Sequence, residues 1–185
     1  QAGVTGSAYG DYVVNFAFAP TPDNDLFANA TVVSGPRTSL TGYTHGSGRE
    51  AQEPNHGGAN AVGTRSVWYR YTAPANGMVT LEGTAAAGVG SPGPANTIIA
   101  VYTGASVGSL TPIASKFGTG GNPAAMGFNV TAGTTYSIAV DLHYYQQAGV
   151  TGSAYGDYVV NFAFAPTPAN DLFANATEVS GPRTS

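Results

Sequence analysis

The sequence predicts an all-β chain, an antiparallel β-sandwich of seven or more short strands, on three observations. Apolar residues alternate with period two, turn signals interrupt them at short intervals, and no window carries a helical stripe of useful length. The 185 residues include 26 glycines and 12 prolines, residues that punctuate short strands.

The strands follow in order. Ser66–Thr72 (SVWYRYT) and Thr97–Thr103 (TIIAVYT) are rich in apolar residues and are expected at the centre of a sheet. Val79 and Leu81 alternate with polar neighbours, as do Met126, Phe128 and Val130. Thr134–Leu142 places Tyr136, Ile138, Val140 and Leu142 on one face and Thr135, Ser137, Ala139 and Asp141 on the other. Tyr158–Phe164 repeats the pattern with Tyr158, Val160, Phe162 and Phe164. Such alternation describes strands with one dry and one wet face. Pro74-Ala75-Asn76-Gly77 and Ala132-Gly133 mark turns. The glycine-rich stretches 42–63 and 83–94 are read as loops or irregular edges, either passive covering or binding surface.

One segment occurs twice. Residues 1–39 return at 147–185 with two differences, Asp23 against Ala169 and Val32 against Glu178. Each copy is too short to be a domain, so the economical reading is a window on a tandem array with a period of 146 residues. That period exceeds the roughly 20–50 residues of solenoid repeats and matches one autonomous domain. Ala19-Pro20-Thr21-Pro22 and its copy at 165–168 follow an aromatic strand and precede Asn-Asp-Leu-Phe. Proline lacks the donor a central strand needs, so these segments are linkers. The expected frame is 1–20 as the last strand of a preceding repeat, 21–166 as one complete sandwich, and 167–185 as the start of the next.

Composition narrows the function. Charged residues are 9% of the chain, the net charge is −4, and Lys116 is the sole lysine. With no basic stripe, nucleic acid is a poor partner. No apolar run reaches the roughly 18 residues that would suggest a membrane-spanning helix. The chain has no cysteine, which removes thiol catalysis, disulfides and Cys-based zinc sites. A surface of Thr, Ser, Asn, Gln and Gly suits a wall or matrix protein, and the missing thiols are compatible with an exported bacterial one.

Several segments, in order, resemble the bacterial pre-peptidase C-terminal domain family. They are Asn24-Asp25-Leu26-Phe27-Ala28-Asn29-Ala30, Glu53-Pro54-Asn55-His56, Ser66–Pro74, Ala100–Gly104, Thr131–Tyr136 and Ile138–Asp141. The resemblance implies a β-sandwich of jelly-roll type, secretion, and a binding or spacer role rather than catalysis; it names no ligand. It also implies a calcium candidate, since some relatives place calcium near the Asn-Asp entry. Here Asp23, Asn24 and Asp25 could supply hard oxygen ligands, with Glu53, Asn55 and Asp141 as remote ones. The second copy, Ala169-Asn170-Asp171, has lost one carboxylate. The bland alternative, in which Asp and Asn set the turn after the linker, is weighted higher.

Other constellations carry less. His45, His56 and His143 lack metal-ligand spacing and read as surface or loop histidines. Gly104-Ala105-Ser106-Val107-Gly108 fits the G-x-S-x-G pattern but has no helix to follow it, so it reads as a hairpin turn. Lys116 reads as an exposed strand-end charge rather than a buried cross-linking lysine. Asn29, Asn129 and Asn175 head N-x-T triplets that are cheap in this composition.

His143-Tyr144-Tyr145 is read as a break in strand alternation, which leaves Tyr144 and Tyr145 as candidate interface residues. Tyr12, Val14, Phe16 and Phe18 duplicate a core strand whose domain lies outside 21–166, so they are expected to pair with a neighbouring repeat. The resulting expectation is a non-enzymatic extracellular repeat that builds a stalk, surface protein or head-to-tail filament. The rivals are a module binding glycans or matrix protein, and an accessory domain of a secreted enzyme.

Overall fold

The computed structural model describes residues 11, 13, 18–58, 61, 63–86, 95–145 and 151–178; at 145 and 151–153 it describes the backbone alone. In chain order the strands are β1 (Thr31–Val32), β2 (Arg37–Tyr43), β3 (Val67–Thr72), β4 (Gly77–Ala85) and β5 (Ala95–Thr103). They continue with β6 (Thr111–Phe117), β7 (Ala124–Val130), β8 (Thr135–Tyr145), β9 (Thr151–Ser153) and β10 (Asp157–Pro166). Three single-turn 3-10 helices, at Phe27–Asn29, Val107–Ser109 and Phe173–Asn175, are the helical elements among the described residues.

The strands form two sheets. One runs β1-β3-β8-β5-β6, with β9 paired to β8; the other runs β2-β10-β4-β7. All pairings are antiparallel except the two-residue β1, which lies parallel to β3. The alternating residues read from the sequence meet between the sheets. Tyr69, Tyr71, Val79, Leu81, Ile99, Val101, Phe128, Ile138, Val140, Tyr158, Val160 and Phe162 belong to one buried cluster. The Tyr69 and Tyr158 hydroxyls join across the core at 2.6 Å, which satisfies two polar groups that burial would otherwise strand. β3 and β5 are central, as their apolar content predicts, and β8 lies between them.

The expectation of a wet face fails on the first sheet. Of the supposed solvent row of β8 Thr135 is exposed, but Ser137, Ala139 and Asp141 are buried, as is His143 beyond them. Residues 24–30, 44–58 and 63–66 lie over this face, where Phe27, Trp68, Ala100, Tyr102 and Ala139 form a second cluster. The first sheet is therefore the middle layer along β3, β8 and β5, and its polar row is sealed rather than solvated. On the second sheet the wet face is real, with Thr80, Glu82, Thr84 and Asn161 exposed.

Two further expectations need correction. β8 does not break at His143-Tyr144-Tyr145: it pairs through Tyr145 with β9 and holds alternation, His143 on the outer face and Tyr144 against the inter-sheet core. The glycine-rich stretches are partly strand, since β2 runs through Gly42 to Tyr43 and β4 through Gly83 to Ala85. Gly42 is required where it stands, because a Cβ there would strike the Tyr158 ring.

β10 sits between β2 and β4, and its Phe162 is 2% exposed. Phe162→Ala should lower stability by about 3–5 kcal/mol. Val159→Ala, on the outer face of the same strand, should change it by less than about 0.5 kcal/mol. Chemical denaturation of the two variants beside the parent checks both; equal costs would misplace the strand's faces.

Candidate functional site

The repeated segment enters the fold twice, in complementary ways. In the first copy, residues after Pro22 dock on the outer face of β3. Trp68 N–H donates to the Asn24 carbonyl at 2.8 Å, and the Asn24 side-chain amide donates to the Trp68 carbonyl at 3.0 Å. The Asp25 carboxylate accepts the Gly48 N–H at 2.7 Å, and Glu50 accepts the Phe27 N–H at 2.6 Å. Phe27, 6% exposed, stands edge-on to Trp68 with ring centroids 5.1 Å apart, and the Arg70 guanidinium lies 5.5 Å from its centroid. Such an edge contact adds roughly 0.5–1.5 kcal/mol beyond burial.

The second copy keeps the local shape without the receptor. Leu172 and Phe173 are exposed, Phe173 at 98%, and the Asn170 amide reaches only the Thr177 hydroxyl at 3.4 Å. The strand half of the repeat shows the reverse. Phe164 packs against the core, while its counterpart Phe18 is 80% exposed. Tyr12, Val14 and Phe16 lie outside the described residues.

Beneath Phe27 and Trp68 is a buried polar cluster. Glu53 Oε1 accepts from the Ser66 hydroxyl and from His56 Nε2, the latter at 2.7 Å, and Oε2 accepts the Glu50 N–H at 2.7 Å. His56 Nδ1 and the Tyr102 hydroxyl are hydrogen-bonded at 2.9 Å. The imidazole also stands edge-on to Trp68, centroids 5.2 Å apart. A turn carries Glu53 inward, and its Gln52 has φ of 70°, the one left-handed non-glycine among the described residues. Burial alone would raise the Glu53 pKa, but the bonds from His56, Ser66 and Glu50 together hold it below its ordinary value. Tyr102 is pushed up to about 12, first by burial and then by the Glu53 charge, against the pull of Arg49.

Asp141 lies on the same face of β8, against Gly63, where any Cβ would collide with its carboxylate. It accepts the Arg65 N–H at 3.3 Å and the Leu142 N–H at 2.6 Å. Burial pushes it up to about 6, with the Glu53 charge acting the same way and His56 and the two N–H donors opposing. His143 donates from Nε2 to the Gly118 carbonyl at 3.0 Å and meets Phe117 edge-on at 5.6 Å; burial lowers its pKa. So His56 and His143 are interior, not the surface or loop histidines expected. Only His45 is partly exposed, beside Tyr43 and Tyr155.

The calcium candidates are not gathered as a cage. Asn24 and Asp25 act as struts to Trp68 and Gly48, Asp23 is exposed, and Asn170 and Asp171 stand in the undocked copy. Among the described residues no group of three or more His, Cys, Asp or Glu is placed to hold a metal ion. Ser106 sits in the turn after β5, its hydroxyl 2.8 Å from that of Ser109, and a single 3-10 turn follows. Lys116 is exposed near the end of β6, and Tyr144 is half-buried.

No family model matches the chain, and no curated protein matches it. The chain is similar, at low identity, to several solved structures. The pre-peptidase C-terminal domain of a Bacillus anthracis collagenase is 14% identical over 80% of this chain and 100% of that one, with a TM-score of 0.39. CorA, a surface-associated copper-binding protein of Methylomicrobium album, is 9% identical over 74% and 98%, TM-score 0.48. A cleaved adhesin domain of the Porphyromonas gingivalis Lys-gingipain is 14% identical over 74% and 94%, TM-score 0.36.

Two outcomes follow from this site. Phe27→Ala should cost about 3–5 kcal/mol, whereas Phe173→Ala, the same residue in the other copy, should leave the melt of the 185-residue chain unchanged. Equal effects would overturn the docking of residues 24–30. The second concerns pH. Asp141 rises from an ordinary 3.8 to about 6 on folding, so its contribution is full below pH 4 and is lost as pH rises through 6. The loss is on the order of 3 kcal/mol. Asp141→Asn should abolish that fall between pH 4 and 6; an unaltered pH slope would refute it.

Proposed function

We propose that the chain is a non-enzymatic extracellular structural repeat. In this reading it is a window on a tandem array with a period of 146 residues, built of jelly-roll sandwiches of the pre-peptidase C-terminal type that its motifs resemble. The strand order β2-β10-β4-β7 against β3-β8-β5-β6 supports the jelly-roll reading. One observation carries the proposal: each copy of the repeated segment docks the half the other leaves exposed, Phe27 against Phe173 and Phe164 against Phe18. Residues 21–166 then hold one complete set of contacts. In this reading the exposed Phe18 on one side and the exposed Leu172-Phe173 on the other meet identical neighbouring repeats head-to-tail in one covalent chain, and the sequence assigns Tyr12, Val14 and Phe16 to the same contact as Phe18.

A heterologous contact of this kind does not close, so it extends into a stalk or filament. Electron microscopy of native material should show fibres with an axial repeat of one sandwich. A native protein with a single compact domain would sink the reading. In this reading calcium is held at the junction by Asp25 with Asn24 and the exposed Asp23, and at the next junction by Asn170 and Asp171. A melting temperature raised by calcium and lowered by chelator, with Asp25→Ala removing the response, is the expected result.

A second reading, a module that binds surface glycans or matrix protein, is favoured by one surface cluster. Tyr43, His45 and Tyr155 are half-exposed neighbours, and the Arg65 guanidinium lies 5.0 Å over the Tyr155 ring. Flat aromatic faces beside a cation suit a polar ligand. Glycan-array binding lost in Tyr155→Ala would favour it over the structural reading.

A further inference from the structure

The two copies of the linker let one junction be assembled from this single chain. On the upstream side β10 ends at Pro166, paired with Gly77, and the Thr167 N–H donates to the Asn76 carbonyl at 2.9 Å. The chain therefore leaves the sandwich fastened to the Asn76–Gly77 turn. On the downstream side the Thr21 hydroxyl donates to the Gly46 carbonyl at 3.2 Å. Gly46 has φ of +71°, and the Ala19, Pro20 and Thr21 backbone passes 3.5 Å from where its Cβ would be. Pro22 next to it is buried.

Thr21 and Thr167 are one position of the repeat. Its backbone N–H serves the sandwich behind and its hydroxyl the sandwich ahead, so both bonds can be made at once with no donor used twice.

The path between these bonds is set locally. Asp25 N–H meets the Pro22 carbonyl at 3.1 Å, and Asp171 N–H meets the Pro168 carbonyl at 3.1 Å. Asn29 reaches the Leu26 carbonyl at 2.9 Å and Asn175 the Leu172 carbonyl at 2.8 Å. The 3-10 turns are entered at φ −88°, ψ 142° in the docked copy and φ −83°, ψ 140° in the undocked one. The two copies match although only one has Trp68 beneath it. Paired prolines, whose rings fix φ, account for a shape that does not wait for docking.

We propose that this threonine is a two-sided clamp that holds consecutive repeats at one fixed orientation. The Asn76–Met78 turn of one repeat then faces the Tyr43–Gly46 rim of the next, and the array is a rigid rod rather than beads on a flexible string. The partner is a second repeat of this same chain, and the inference rests on the tandem reading above. The upstream end is apolar where that partner arrives. Val32 and Met78, both exposed, line two hollows that share Pro166, one with Tyr71, Pro74 and Phe164, the other with Asn76 and Val130.

The test uses the full chain extended after Ser185 by a second passage through residues 40–185, which supplies a second complete sandwich. Residual dipolar couplings should fit one alignment tensor for both sandwiches, with one overall rotational correlation time well above that of the 185-residue chain. Four glycines inserted between Thr167 and Pro168 should split this into two tensors and two shorter times. Thr167→Val, which keeps the N–H and removes the hydroxyl, should loosen the junction without lowering either melt. Two folded sandwiches that tumble independently with the natural linker would overturn the clamp and leave the tandem reading standing. An appended passage that does not fold would overturn both.

Discussion

The contact on which most of this structure depends is the edge-on packing of Phe27 against Trp68. A sandwich needs only the space between its sheets to be dry, and the inward faces of β4, β7 and β10 meet that need together with those of β3, β5 and β8. The first sheet goes further. Its outer face is closed by residues 24–30, 44–58 and 63–66, and Phe27 is the large apolar side chain that they insert. Without it, Trp68 and the Glu53–His56–Tyr102 bonds beneath it would open to water. Hydrogen bonds among those groups are strong because they are sheltered, and shelter is what makes an unpaired member costly.

This explains how much of the molecule is legible in the sequence. Period-two alternation located β4, β7, β8 and β10, because each has one face in the inter-sheet core, and apolar richness located β3 and β5. Alternation misassigned the other face of β8. Ser137 and Asp141 look like part of a solvent row, since local pattern cannot show that a distant segment lies over them. Within TYSIAVDLH the clue was the company they keep: two ionisable groups at alternate positions in a strand otherwise almost wholly apolar. The histidines were misread for the same reason. His56 is buried through partners at Trp68 and Tyr102, which the sequence alone does not bring near. The entry segment fared better, because Asn24 and Asp25 do set a turn and their side chains reach receptors on β3 and in the 44–50 loop.

The repeat adds information that a single copy would not. One sequence seen in two surroundings separates what is encoded locally from what docking imposes. The turn after Pro22 forms in both copies, so it belongs to the local sequence. The burial of Phe27 happens in one copy only, so it belongs to the receptor. A linker preshaped in this way lowers the conformational cost of joining two domains, because the dihedrals are set before contact.

The two positions that differ between the copies bear on the same junction. Asp23 and Val32 are both exposed, so neither change, to Ala169 or to Glu178, disturbs a core. They fall on opposite sides of a junction: position 23 on the entry segment of a repeat, position 32 beside the hollow where its chain leaves. In the junction proposed for this chain, the upstream side carries Val32 and the downstream side Ala169. Both are the apolar choice. A repeat that left through Glu178 would present a charge at that rim instead, which favours a wetter and weaker contact. Successive junctions in such an array would then share one backbone path, set by the threonine and its prolines, while differing in how firmly their faces adhere.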